Sequence, residues 1–209
     1  IHPHPNIVRY YGMGYEDSPS AGFDYFEAIL VMELVESSLD IALAESRTLL
    51  PVSCALPFPE KRALNYTKQC LKGIEHLHSL KIIHRDIKPA NVLLDSGGTI
   101  KIADMGESKL CDLGTRTCTG TPIYMAPEIF TIQGADTSQV YNSKVDVWSV
   151  GAMLYEMLTR LSPYSRTFDE RKCSFQIGKL CHLIRRGEIA LNYREHISAT
   201  PCAEEASPL

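Results

Sequence analysis

Ile82-Ile83-His84-Arg85-Asp86-Ile87-Lys88-Pro89-Ala90-Asn91 is the stretch on which the reading of this chain turns. It packs a carboxylate (Asp86), an ammonium two residues on (Lys88) and an amide oxygen five residues on (Asn91) into one short segment. Farther along, Asp104-Met105-Gly106 adds a second carboxylate. A carboxylate to accept a hydroxyl proton, a cation to meet phosphate charge and two oxygen ligands for Mg²⁺ together suit phosphoryl transfer.

The surroundings of this stretch predict how it is carried. Upstream, Leu64, Leu71, Ile74 and Leu77 recur at helical spacing between Glu60 and Leu80, which predicts a helix with one apolar face. Downstream, Val92, Leu94, Ile100 and Ile102 alternate around Asp95-Ser96-Gly97-Gly98, a β-hairpin signature. Ser143 to Leu158 is apolar on most sides and reads as a buried helix. Val8 to Gly14 and Phe26 to Leu34 read as two strands joined by a long loop through Ser18-Pro19-Ser20-Ala21-Gly22. Pro51, Pro57 and Pro59 mark residues 48–59 as a connecting loop. A further helix is predicted over Phe168 to Arg185. Thr200-Pro201 followed by Glu204 and Glu205 reads as the start of another.

Composition narrows the function classes. The 209 residues are 44% apolar and 22% charged, the balance of a globular domain rather than a disordered or fibrous chain. A net charge of −4 leaves no electrostatic footprint for a nucleic-acid backbone. No apolar run approaches the roughly 18 residues that a membrane helix needs. Ile1-His2-Pro3-His4-Pro5 lacks the layout of a signal peptide. Seven scattered cysteines with no C-x-x-C pair argue against zinc and against a disulfide framework; reduced thiols in a cytoplasmic protein are the simpler expectation. Cys111 and Cys118 are read as inert thiols, and the Asn65-Tyr66-Thr67 sequon is discounted because it falls on the predicted helix. His76 and His78 point to different helix faces and cannot readily share a metal.

In its motifs the chain resembles the eukaryotic protein kinases of the serine/threonine type. His84-Arg85-Asp86 with Lys88 and Asn91 resembles their catalytic loop, and Asp104-Met105-Gly106 their metal-binding motif. Gly120-Thr121-Pro122-Ile123-Tyr124-Met125-Ala126-Pro127-Glu128 resembles the end of the activation segment. Asp146-Val147-Trp148-Ser149-Val150-Gly151 resembles the start of the buried central helix. Four motifs in family order cover nearly the whole chain.

The resemblance implies an α+β, protein-kinase-like fold, with a mainly helical C-terminal lobe and a two-strand remnant of the N-terminal lobe. Residues 1–35 would be the end of the N-terminal lobe and the hinge, and residues 36–209 a truncated C-terminal lobe. It implies ATP and Mg²⁺ as cofactors, protein substrates and an upstream activating kinase as partners. Asp86 would act as catalytic base, Lys88 would meet γ-phosphate charge, and Asn91 and Asp104 would hold Mg²⁺. Thr121 accompanies Asp86 and Lys88 in the serine/threonine pattern. Met32 would be the gatekeeper, the backbone of Glu33 and Val35 would contact adenine, and Leu93 would pack beneath it. Asp146 would brace the catalytic loop. Arg85 beside Asp86 implies activation by phosphorylation, with Ser108, Thr115, Thr117 and Thr119 as candidate acceptors.

Met105 stands where the family pattern has Phe, a flexible apolar substitute expected to fill the same slot. These 209 residues hold no Gly-rich phosphate loop and no strand Lys paired with a helix Glu, and both ends read as cut. The piece alone is therefore expected to expose an apolar patch, to be poorly soluble and to have little activity. The competing reading is a pseudokinase, or a truncated scaffold or binding module; the intact Asp86, Lys88, Asn91 and Asp104 argue against it.

Overall fold

A computed structural model of the chain describes residues 3–18, 25–49, 59–110, 121–129, 142–161, 163–164 and 186. In chain order these form strands β1 (Tyr10–Ser18), β2 (Tyr25–Met32) and β3 (Ser37–Ser38), then helices α1 (Leu39–Leu49) and α2 (Glu60–Ser79). Strands β4 (Ile82–Ile83), β5 (Val92–Leu94), β6 (Ile100–Ile102) and β7 (Lys109–Leu110) and helix α3 (Lys144–Thr159) follow. The helix and hairpin expected on either side of the 82–91 stretch are both present, as is the helix expected from Ser143. The predicted helices over 168–185 and from Thr200, most of the 48–59 loop, Cys111, Cys118, Thr115, Thr117 and Thr119 lie outside the described residues.

The core forms where α2 meets α3. Ala63, Tyr66, Cys70, Ile74 and Leu77, three or four residues apart, make one buried stripe along α2. This corrects the predicted face: Ile74 and Leu77 are buried, but Leu64 and Leu71 are exposed. Ala63 and Cys70, each one residue earlier, take the inward positions, because a helix turns about 100° per residue and only one stripe can meet α3. From α3, Val150, Met153, Met157 and Leu158 join the same cluster, together with Ile87, Val92, Ile100 and Ile102 from the hairpin side. Helix α1, which the sequence did not announce, adds Leu39 and Leu43 to this core, with Ala42 packed against it. Leu39 and Leu43 are a single helical turn apart, too short a run to announce a helix by periodicity.

Gly73 of α2 lets the segment ahead of β1 lie directly on the helix. A Cβ there would stand 2.8 Å from the backbone oxygen of Asn6 and 2.8 Å from Cδ1 of Ile102. The segment is held on its other side as well: Val8 donates its N–H to Ile102 at 2.8 Å, and Ile102 donates to Asn6 at 2.9 Å. The Asn6 amide reaches Gln69 and the Ile100 carbonyl, both at 3.0 Å.

Strands β5 and β6 form the predicted hairpin, with Gly98 in the left-handed region at φ +78°. β3 pairs with the far edge of β5, Ser38 opposite Leu93. β4 pairs with β7, so the two ends of the chemistry-bearing region are tied to each other. β1 and β2 form a separate antiparallel ribbon with a bulge between Tyr10 and Gly12. Tyr11, Met13, Tyr15, Ile29, Leu30 and Val31 stand exposed on it, so the expected apolar patch is there. No helix among the described residues is long and apolar enough to cross a membrane.

Candidate active site

The segment after β4 is suspended from α3 by one carboxylate. Asp146, fully buried in the first turn of α3, accepts the backbone N–H of His84 at 3.0 Å and of Arg85 at 2.8 Å. His78 of α2 completes the set with Nε2 at 2.7 Å from Asp146 Oδ2. These bonds hold Arg85 at φ +72°, a conformation that ordinary residues avoid. The buried His84 ring accepts the Asp86 N–H at Nδ1 (3.3 Å), which leaves the proton on Nε2 to donate to the Ala103 carbonyl at 3.0 Å. His78 had no role in the sequence reading beyond exclusion as a metal ligand, since nothing local signals a partner on α3.

Around Asp86 the structure brings four of the sequence-selected residues together. Asp86 Oδ1 accepts the Thr121 backbone N–H at 3.0 Å and the Thr121 hydroxyl at 3.1 Å. Oδ2 faces Lys88 Nζ at 2.7 Å and accepts from Asn91 Nδ2 at 2.9 Å. Lys88 also donates to the Thr121 hydroxyl at 3.0 Å. Burial alone would raise the Asp86 carboxyl, but the hydrogen bond and charge of Lys88, with Thr121, outweigh it and hold the group below the usual carboxylate range. Asp86 is thus an ionised, fixed carboxylate with a cation against it.

Asn91 Nδ2 also donates to the Asp86 carbonyl at 2.9 Å. With its nitrogen committed to Asp86, the amide presents its oxygen elsewhere. Its backbone oxygen accepts the N–H of Ala103 at 2.9 Å, which brings the residue before Asp104 alongside. Asp104 is exposed, in the left-handed region at φ +59°, and its Oδ1 accepts the Gly106 N–H at 3.2 Å. An amide oxygen and an exposed carboxylate are hard donors, so this pair fits Mg²⁺ by the chemistry of its atoms. The Tyr10 phenol is held above its usual range by burial and by the Asp104 charge, while the backbone N–H groups of Met105 and Asp104 pull the other way. Met105 is half-buried, in keeping with an apolar filler.

At the end of β2, Met32 is exposed and pairs with Tyr10. Glu33 spends its N–H on the Arg9 carbonyl at 2.8 Å, which leaves its own carbonyl for other partners. Leu34 is 98% exposed, Val35 half-buried, and Leu93 half-buried in β5. The Glu33 carboxylate makes two further bonds that sequence reading missed: it accepts the Arg9 N–H at 2.7 Å and pairs with Lys101 of β6 at 3.0 Å. Arg85 donates through Nε to the Glu107 carbonyl at 2.5 Å. Cys70, fully buried, has its thiol pushed up to about 12 by burial, with Asp146 adding to it; that describes an inert packing group.

Comparison with known proteins supplies the family. The protein kinase domain family model matches residues 1–205. Mitogen-activated protein kinase kinase kinase ANP1 of Arabidopsis thaliana is 38% identical over 180 residues, covering 84% of this chain and 24% of the relative. Mitogen-activated protein kinase kinase kinase 3 of Homo sapiens is 46% identical over 106 residues, covering 48% of this chain and 16% of the relative. The cAMP-dependent protein kinase type 3 of Saccharomyces cerevisiae is 37% identical over 161 residues, covering 77% of this chain and 35% of the relative. The chain thus spans about a quarter of the length of the first of these relatives. The motif around Asp86, the α+β architecture and the match over almost the full length lead to one conclusion: the chain belongs to the protein kinase domain family.

Proposed function

We propose that this chain is the greater part of a catalytic domain that transfers the γ-phosphoryl group of ATP to serine and threonine hydroxyls of protein substrates. The observation that carries the reading is the ionised Asp86 carboxylate, held by Thr121 and Asn91 with Lys88 at 2.7 Å. Asp86 orients the substrate hydroxyl and accepts its proton. Lys88 meets the charge on the transferring phosphoryl oxygens. Thr121 keeps Asp86 and Lys88 in register with each other. Asn91 and Asp104 would hold Mg²⁺, which when bound neutralises phosphate charge.

Residues 1–35 act as the end of the smaller lobe and the hinge, and residues 36–209 as the larger lobe. At the hinge, Met32 borders the adenine site, the free carbonyl of Glu33 and the backbone of Val35 offer hydrogen bonds to the base, and Leu93 packs under it. Arg85, close to the segment after Asp104, supports control by an upstream activating kinase acting on that segment. The relatives named as mitogen-activated protein kinase kinase kinases support a place in such a relay, with protein substrates.

The test is transfer of labelled phosphate from ATP to a protein substrate by the full protein encoded by the gene, unaltered and as Asp86→Asn. Loss of about 10²–10⁴ in rate is expected, the usual contribution of a positioned general base. Undiminished transfer by the variant would remove Asp86 from the mechanism. The 209 residues alone should turn over ATP slowly, since they include no Gly-rich phosphate loop.

A further inference from the structure

Glu33 and Lys101 are ordinary charged residues in the sequence, one just past a strand and one in the middle of another. In the fold they meet. Glu33 Oε1 lies 3.0 Å from Lys101 Nζ and accepts the Arg9 N–H at 2.7 Å. Glu33 also donates its own N–H to the Arg9 carbonyl at 2.8 Å. Glu33 and Arg9 therefore exchange two bonds, and Lys101 adds a third. The hinge is fastened at this point: Leu34, the next residue, is 98% exposed.

The other end of the pair matters as much. Lys101 is the central residue of β6, opposite Leu93 in β5. Its neighbour Ile102 bridges to Ile7, and the chain then runs through Ala103 to Asp104. A rigid connection from Glu33 to Lys101 is thus a connection from the hinge to the carboxylate proposed to hold the metal.

We infer that Glu33 and Lys101 are a positioning pair that sets the separation between the adenine end and the metal end of the nucleotide site, an inference that rests on the ATP-binding reading above. The side chains are 18% (Lys101) and 20% (Glu33) exposed, so salt screens the pair less than a surface pair. Both bonds to the carboxylate are charge-assisted, the stronger kind. Burial works against ionised Glu33, yet the Arg9 N–H and Lys101 together hold its carboxyl below the usual range.

Lys101→Met keeps most of the length of the side chain and removes its charge; Lys101→Arg keeps the charge; Glu33→Gln keeps the shape and removes the negative charge. In the full protein, two quantities are read: the Kd for a fluorescent ATP analogue with Mg²⁺, and amide hydrogen exchange at Glu33 and Val35, with Arg85 and Asp86 as controls. Lys101→Met should bind the analogue about tenfold more weakly and exchange faster at the hinge, with the controls unmoved; tenfold corresponds to about 1.4 kcal/mol. Lys101→Arg should restore both, which general loosening would not do. If Lys101→Met does not fold, as the control amides would show, Glu33→Gln with a loss of about threefold decides the matter. Unchanged affinity in the folded variants overturns the inference while leaving the ATP-binding reading intact. Failure of the unaltered protein to bind the analogue overturns that reading first, and the nucleotide role of the pair with it.

Discussion

The segment His84–Asn91 and the β1–β2 ribbon hold functional positions of the same proposed site, yet they are built in opposite ways. The first is buried and tied to distant elements: Asp146 from α3, Thr121 from beyond β7 and Ala103 just past β6 bond to it, and His78 of α2 bonds Asp146 in turn. The second is a two-stranded ribbon with apolar side chains in the open, fastened to the rest chiefly through Arg9, Glu33 and Lys101. An isolated pair of strands is marginal in water, whereas a loop pinned by a buried carboxylate costs much to move. The difference teaches that the proposed phosphate end of the site is ordered by its own core, and that the proposed adenine end depends on a few specific bonds.

The hardest blow to this contrast is Asp146→Ala. It leaves the His84 and Arg85 N–H groups and His78 without their acceptor, and should cost about 3–5 kcal/mol in urea unfolding, the range for removing one partner of a buried charged set. A cost under about 1 kcal/mol would show that the loop is not pinned from α3. Gly73→Ala comes next. The new methyl meets the Asn6 backbone and Ile102 at the 2.8 Å contacts, so overpacking of about 1–3 kcal/mol is expected by the same measurement.

pH separates the two regions more gently. Asp86 and Glu33 both titrate below their ordinary values in the folded chain. Their stabilisation is complete above the unfolded carboxylate range and is lost as pH falls through the folded values, so acid unfolding should steepen below about pH 4. Glu33→Gln should flatten part of that fall, and an unchanged profile would dismiss its share. His4 behaves differently. Stacked on His76 with ring centroids 4.9 Å apart, it accepts the Asn6 N–H at Nδ1 and must be neutral to do so. Burial, then His76 and Lys72, lower its affinity for a proton below that of an ordinary histidine, which titrates at about 6.5. Its contribution is complete above that value and declines as pH drops below it, measurable as faster amide exchange at Asn6 near pH 5.

The smallest effect belongs to the ribbon. Tyr15→Ser or Leu30→Ser should change stability by no more than about 0.5 kcal/mol, because both side chains are already exposed. Either change should raise the solubility of the 209-residue chain. A large loss of stability would show that the ribbon is a cooperative part of the core after all.

The residue order alone carried the proposed chemistry of the candidate site and showed its local frame. The spacing of Asp86, Lys88 and Asn91 within one loop, the Gly-containing turn between β5 and β6 and the periodicity of α2 and α3 are short-range features, and short-range features are written in adjacent residues. What only the tertiary structure decided is which face and which partner. Ala63 and Cys70 turn inward in place of Leu64 and Leu71 because the position of α3 selects the stripe. The weak pattern of α1 becomes a helix through burial of Leu39 and Leu43. The bonds of His78 to Asp146 and of Glu33 to Lys101 join residues 68 apart in the first case and, in the second, a residue just past β2 to one in β6. No local rule marks such partners, because their energy comes from burial and charge pairing that exist only once the chain has closed on itself.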